Sequence, residues 1–373
     1  MKIPTFYSFA KGLLCLFLFL GSVICSAQPS FQGLENLFNS PESYVIGYTP
    51  VKPVIDGNIT DAAWQNVPWS KFFRDIEGDA KSSPYYQTRV KMLWDDNYLY
   101  IAAYLQDEHV WANLHNHDEI VYYDHDFEIF IDPDNNTHQY FEIEVNALNT
   151  IFDLFLSKPY RNDSRELIGW DASGMRSAVK VHGTLNNSKD KDKGWSVEFA
   201  IPFSALSLGS GKNIPKEGTL WRINFSRVEW DTMIEKGKYV KKTNAEGKVL
   251  PENNWVWSPQ GVINMHCPER WGYLLFTKKQ TENEFPAFML PYAEKQKQYL
   301  WLVYYRQKEY LEKNKRYAST LDELNITPVS FKLDNIENSL EMEATAHQFN
   351  ATIRSSGSNT WSINDEGLIQ IRK

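Results

Sequence analysis

Phe141-Glu142-Ile143-Glu144-Val145-Asn146 alternates apolar and polar side chains without a break. Successive side chains of a strand point to opposite faces, so Phe141, Ile143 and Val145 share one side while Glu142, Glu144 and Asn146 share the other. The same pattern extends outward in both directions. Phe127, Ile129 and Ile131 oppose Glu128; Trp195, Val197, Phe199 and Ile201 oppose Glu198; Trp221, Ile223 and Phe225 oppose Arg222, Asn224 and Ser226. Further strands are expected at 89–94, 98–105, 178–185 and 271–276. Turn-forming clusters such as Asp95-Asp96-Asn97 and Asp132-Pro133-Asp134-Asn135-Asn136 separate the runs. With neither a repeat nor a helical crossover pattern, residues 44–277 read as an all-β, antiparallel β-sandwich of immunoglobulin-like or jelly-roll-like type. One face of it carries many hydrogen-bonding groups on rigid strands, a pattern shared by ligand-binding faces and by ordinary solvated ones.

The flanks differ in character. Lys2 and Lys11 border the apolar run 13–20, and Cys25-Ser26-Ala27 offers small residues, so 1–27 read as a secretory signal cleaved near Gln28. The apolar run is shorter than the ~20 residues a bilayer span needs, and no later segment is apolar enough to cross. An exported protein follows, placed in the periplasm, at the cell surface or outside. Residues 28–43 lack periodicity and read as a linker. Cys15 and Cys25 fall in the signal, which leaves Cys267 without a disulfide partner. From 278 to 373 the chain reads as a small α+β appendage that binds a protein partner or braces the sandwich. Its features are a helix over 292–313 with Leu300, Val303, Tyr304 and Leu311 on one face, a capping box at Thr320 and Glu323, and a return to strand alternation. The formal charge of -8 makes nucleic acid and anionic membranes poor partners.

Six segments carry a resemblance. In order they are Ile55-Asp56-Gly57 with Asp61-Ala62-Ala63-Trp64; Val90-Lys91-Met92-Leu93-Trp94-Asp95; Tyr98-Leu99-Tyr100-Ile101; Asp126-Phe127-Glu128-Ile129-Phe130-Ile131-Asp132; Gly194-Trp195-Ser196-Val197-Glu198-Phe199-Ala200-Ile201-Pro202; and Trp271-Gly272-Tyr273. Together they resemble the family 9 carbohydrate-binding module and its relatives in exported bacterial proteins. The stretches 146–161, 224–230 and 255–261 resemble a subgroup from glycan-degrading bacteria, with loops that could wall a cleft. The resemblance implies a sugar ring held between two tryptophans and hydrogen-bonded by charged and amide side chains on a concave sheet. Glu128 matches the family's acidic position and Asn146 its amide, while Glu144 stands where the family has arginine. Tyr122 or Tyr123 takes the first stacking position; the second falls near Asn264, Met265 and His266, with Trp257 close in sequence. With Arg222 and Asn224 from the same polar face, the candidate sugar-binding set is Glu128, Asn146, Tyr122, Tyr123, Trp257, Arg222 and Asn224. Family members also bind structural calcium, for which Asp132, Asp134 and Asn136 offer hard oxygen ligands. The same cluster serves equally as an Asx turn.

The residues leave other chemistries to weigh. Tyr122, Tyr123 and Trp257 also suit core packing, and Glu128, Glu198 and Arg222 also suit cross-strand ion pairs. Glu142 and Glu144 lie roughly 7 Å apart by strand rise, a spacing used by inverting glycosidases. As neighbours on one strand, however, they approach a guest from the same side. Nucleophile-elbow, phosphate-loop and dinucleotide motifs are absent from the sequence. His115, His117 and His125 lack the cysteine pair or helical spacing of a zinc site. Haem-binding electron-transfer domains of the same superfamily use Met and His as axial ligands. Adjacent Met265 and His266 cannot grip opposite faces of one haem, so Met92 would have to serve with a distant histidine. The expectation is non-catalytic binding of an oligo- or polysaccharide, accessory to polysaccharide degradation; glycoside hydrolysis and haem electron transfer are the alternatives.

Overall fold

The computed structural model describes residues 28–207 and 214–372, so the signal expected over 1–27 lies outside the described residues. The alternating segments form β1 Ser43–Tyr48, β2 Arg74–Asp75, β3 Thr88–Trp94, β4 Tyr98–Leu105, β5 Asp126–Asp132 and β6 Tyr140–Asn146. They continue as β7 Ile151–Leu156, β8 Glu166–Leu167, β9 Arg176–Val181, β10 Trp195–Pro202 and β11 Leu220–Glu229. A hairpin of β12 Thr232–Glu235 and β13 Lys238–Lys241 stands apart, followed by β14 Asn253–Val256 and β15 Gly272–Thr277. Thirteen strands join one sheet in the order β8-β7-β6-β5-β11-β15-β1-β3-β4-β10-β9, with β14 and β2 added beside β11.

The apolar alternates of both halves of this sheet meet in one core, which is why it curls into a sandwich. Phe127 of β5 stacks on Phe225 of β11 at 5.7 Å and faces Phe199 of β10 at 6.3 Å. Ile129, Ile143, Met92, Ile101 and Val197 fill the same buried cluster. Most pairs are antiparallel as expected, but β1 runs parallel to both β15 and β3 and closes the seam between the halves. Strand β7 occupies a stretch that reads as cleft-walling loop. Its alternation is masked because Phe152, Leu154 and Leu156 pack on one side while Ile151 and Phe155 pack on the core, so both faces are apolar. Glu198 anchors the opening motif: its carboxylate accepts from Trp64 Nε1 at 2.6 Å and from the Gly57 amide at 2.8 Å.

The appendage comprises helix α1 Tyr292–Asn314 and an antiparallel meander of β16 Ser330–Leu333, β17 Ile336–Ala344, β18 Phe349–Ser355, β19 Thr360–Asn364 and β20 Ile369–Arg372. The expected capping box forms, with Glu323 N donating to Thr320 Oγ1 and Thr320 N to Glu323 Oε2. It opens only a short 3-10 turn, Asp322–Leu324. Residues 28–38, read as linker, instead pack against the appendage. Phe31 meets Tyr299 at 5.3 Å, Phe38 meets Tyr305 at 5.9 Å, and Leu34 is buried in the second core. Three apolar contacts made by largely irregular backbone leave no period to detect.

A buried charge knot binds the appendage to the sandwich. Arg222 donates to Asn135 Oδ1 at 2.9 Å, Trp271 O at 2.7 Å, Tyr273 Oη at 2.7 Å and Glu294 Oε2 at 3.1 Å. Lys297 holds the other Glu294 oxygen at 2.7 Å. Burial opposes ionisation of Glu294, but Lys297 and Arg222 outweigh it and hold the carboxyl below its usual range. Removing one member of such a knot leaves the others buried and uncompensated, which costs about 3–5 kcal/mol. Glu294→Ala should therefore lower the free energy of unfolding by about 3 kcal/mol in urea, and Glu294→Gln should also destabilise, because both carboxylate oxygens accept from donors and an amide NH2 can replace neither without loss.

Candidate functional site

On the face of β7-β6-β5-β11 turned away from the core, registration lines side chains up in rows. Ser226, Glu128, Glu144 and Phe152 are successive cross-strand partners, and so are Asn224, Phe130, Glu142 and Leu154. The rows form the floor of a cavity of about 330 Å³. Phe130, Phe152 and Leu154 give it apolar surface, Glu128, Glu142 and Glu144 its polarity, and Glu166 and Glu252 add carboxyls to the walls. Ile120, Tyr160 and Ile168 also line it and leave apolar surface exposed to solvent.

Two tyrosines stand at its ends. Tyr122 precedes β5 and Tyr160 follows β7; because each of these strands is antiparallel to β6, they run the same way. The rings therefore bracket the carboxylate floor along the strand direction. His266 packs edge-on against Tyr160 at 4.4 Å and pairs with Tyr140 Oη at 2.9 Å. Burial, reinforced by Arg161, lowers its pKa to about 3 and keeps the imidazole neutral. Trp271 supports this wall from below, its Nε1 donating to Met265 O at 2.8 Å.

The floor is electrostatically unusual. Like charges directly opposite one another on paired strands repel, and Glu128 faces Glu144 in that way. Burial is the main reason that the pKa of Glu128 is pushed up to about 7. Burial, followed by repulsion from Glu128, drives Glu142 and Glu144 well above the usual carboxylate range. Protonated carboxyls in this setting donate as well as accept hydrogen bonds, which suits a guest rich in hydroxyls.

Of the sequence-derived candidates, Glu128 and Tyr122 line the cavity. Tyr123 lies beside it, half exposed, with its ring 4.6 Å from that of Tyr122. The remaining four are committed elsewhere. Asn146 donates to Leu114 O and Asp124 Oδ2 and accepts from the amides of Leu148 and Thr150, so its amide closes the β6–β7 turn. Asn224 pairs doubly with the backbone of Ser258, at 2.8 and 2.9 Å. Arg222 belongs to the appendage knot. Trp257 is 1% exposed in the core, and Gly272 is required beside it, since a Cβ there would sit 2.3 Å from the indole. Asp132 accepts from the amides of Asp134, Asn135 and Thr137, while Asp134 takes the Asn136 amide; these are Asx-turn contacts. Met92 is buried in the core, far from solvent. Tyr160 falls in the stretch 146–161 expected to wall a cleft and does line the cavity, whereas sequence reasoning missed Glu166 and Glu252 as site residues. Met265 and His266, near which the second stacking position was expected, do line the cavity.

These features define a β-sandwich with a ligand-sized, aromatic-ended pocket on one sheet face. The chain belongs to the carbohydrate family 9 binding domain-like family, whose sequence profile matches residues 55–249. Its curated relatives include an exoglucanase, XynX, of Acetivibrio thermocellus, 26% identical over 159 residues, and endo-1,4-beta-xylanase A of Thermoanaerobacterium saccharolyticum, 27% identical over 159 residues. Each match covers 43% of this chain and 12% of the relative. Among solved structures, the chain is similar to a family 9 carbohydrate-binding module from Caldicellulosiruptor kristjanssonii, determined with cellotriose and with glucose. Both comparisons give a TM-score of 0.39 at 18% identity; they cover 67% and 66% of this chain and all of the module.

The raised carboxyl groups have a consequence for stability. Glu128 ionises at about 7 when folded and at its ordinary value of 4.5 otherwise, so the folded chain binds more protons between those limits. Stability contributed by this group is thus lost as pH rises through that window. Glu128→Gln should flatten the decline in melting temperature from about pH 4.5 to 7, and should stabilise the chain at pH 7.

Proposed function

We propose that the protein is exported and binds an oligo- or polysaccharide without cleaving it, as an accessory to polysaccharide breakdown. The observation that carries this reading is the cavity itself, where Tyr122 and Tyr160 flank a floor of carboxyl groups on the polar face of a rigid sheet. A pyranose has C–H faces that pack on aromatic rings and an equator of hydroxyls that need donors and acceptors, and the cavity offers both. Membership of the family supports the same class of ligand.

Catalysis is the weaker reading on geometry. Hydrolysis of a glycosidic bond uses carboxyl groups on either side of it, whereas the buried carboxyls Glu128, Glu142 and Glu144 all rise from one floor, with only Glu166 and Glu252 contributed by the walls. Retention of a glycan without release of reducing ends is therefore expected. Calorimetric titration of the full chain against a glycan panel headed by cellotriose, combined with a reducing-sugar assay, tests this. A well-folded chain that binds nothing on the panel would overturn the reading. Tyr160→Ala and Tyr122→Ala should each weaken binding at least tenfold while leaving the melting temperature nearly unchanged. Trp257→Ala should instead cost about 3–5 kcal/mol of stability, as expected for a truncated core tryptophan.

A further inference from the structure

Three buried glutamates elsewhere in this molecule are answered by cations, and buried Glu198 by the Trp64 indole and the Gly57 amide. Glu229 meets Arg227 at 2.7 Å, Glu269 meets Arg161 at 2.8 Å, and Glu294 meets both Arg222 and Lys297. The cavity floor breaks that pattern. Glu128, Glu142 and Glu144 are 6%, 5% and 3% exposed, and among the described residues no lysine or arginine lines the space above them. Lys241 lies over the Trp230 ring at 3.3 Å, beside Asp124 and Glu252, rather than over the floor. The nearest basic group to Glu142 Oε2 is His266 Nε2, at 4.0 Å, and that ring is neutral. Glu142 Oε2 itself is buried and has no hydrogen-bond partner.

A missing positive charge, an orphaned carboxylate oxygen and aromatic ends describe the complement of a cation with an apolar body. An ammonium supplies three donors and a full charge, and it gains from neighbouring aromatic rings. Resting on the carbohydrate reading, we propose that the preferred guest is a sugar bearing a protonated amine, seated with its nitrogen over Glu142 and Glu144. A neutral hydroxyl in that place satisfies hydrogen bonds but brings no counter-charge against which the buried carboxyls could ionise. Groups facing the amine are Glu128 from β5, Glu142 and Glu144 from β6, Glu166 from β8, and Glu252 and His266 from the loops on either side of β14 and β15. Asp126 adds a carboxylate oxygen within 4.8 Å of those of Glu128 and Glu144.

The test uses three β-1,4-linked trimers that differ at one substituent: the free-amine glucosamine trimer, its N-acetylated form, and cellotriose. Each is titrated calorimetrically into the full chain near pH 6.5, in two buffers of different ionisation enthalpy. The amine trimer should bind at least tenfold tighter than the other two and should release protons as the floor ionises. Glu142→Gln and Glu144→Gln, both isosteric, should reduce the ratio of amine-trimer to cellotriose affinity to within about threefold, whatever each affinity becomes. Cellotriose binding as tightly as the amine trimer overturns this inference and leaves the carbohydrate reading intact; failure of all three trimers tells against both. Calcium binding that competes with every sugar alike, with no preference for the amine, also overturns it by assigning the floor to a metal ion.

Discussion

Strand periodicity leaves the sandwich with a residual problem. Burying Phe127, Ile129, Ile143, Phe199 and Phe225 on one side of the sheet obliges every alternate residue to project from the other. Where that second side is also shielded from water, each polar group there must find a partner or bear a desolvation penalty. Glu198 finds the amide of Gly57 and the indole of Trp64, Asn224 finds the backbone of Ser258, and Arg222 finds Glu294 of the appendage. On the floor, Glu144 finds the amide of Tyr122, but Glu142 Oε2 finds no hydrogen-bond partner and, among the described residues, no cation answers the three carboxyls. The cavity lies where this requirement is not met from within the chain.

The appendage shapes that outcome. By docking on Arg222, Asn135 and the turn around Thr137, it seals one end of the polar face and converts its charges into structure. The rows through Glu128 and Glu142 remain open, walled by the turns that carry Tyr122 and Tyr160 and by the loop holding Met265 and His266. The N-terminal segment 28–38 extends the second core, so chain on both sides of the sandwich contributes to the same brace.

Much of the fold is legible in the sequence because strand alternation is a local property. The runs around Phe127, Phe141, Trp195 and Trp221 each declare their core face without reference to neighbours. Alternation does not reveal what covers the other face. Arg222, Asn224 and Glu128 occupy equivalent outward positions on paired strands, yet they serve a domain interface, a loop anchor and a pocket floor. Asn146 is likewise outward-facing, but the β6–β7 turn consumes its amide. Parallel pairing of β1 was hidden for a similar reason, since its partners β15 and β3 are distant in sequence and only closure of the sandwich brings them together. Tyr160 falls in a stretch expected to wall a cleft, but its own part was not singled out, because a single tyrosine in a loop looks the same whether it faces solvent or a guest.

Whether the open rows of this face hold the ligand is decided by a crystal structure of the full chain with a bound trisaccharide. A sugar ring is expected between Tyr122 and Tyr160, with hydrogen bonds from its polar substituents to Glu128 and Glu142. A saccharide bound on any other surface, with the cavity still holding only solvent, would contradict it.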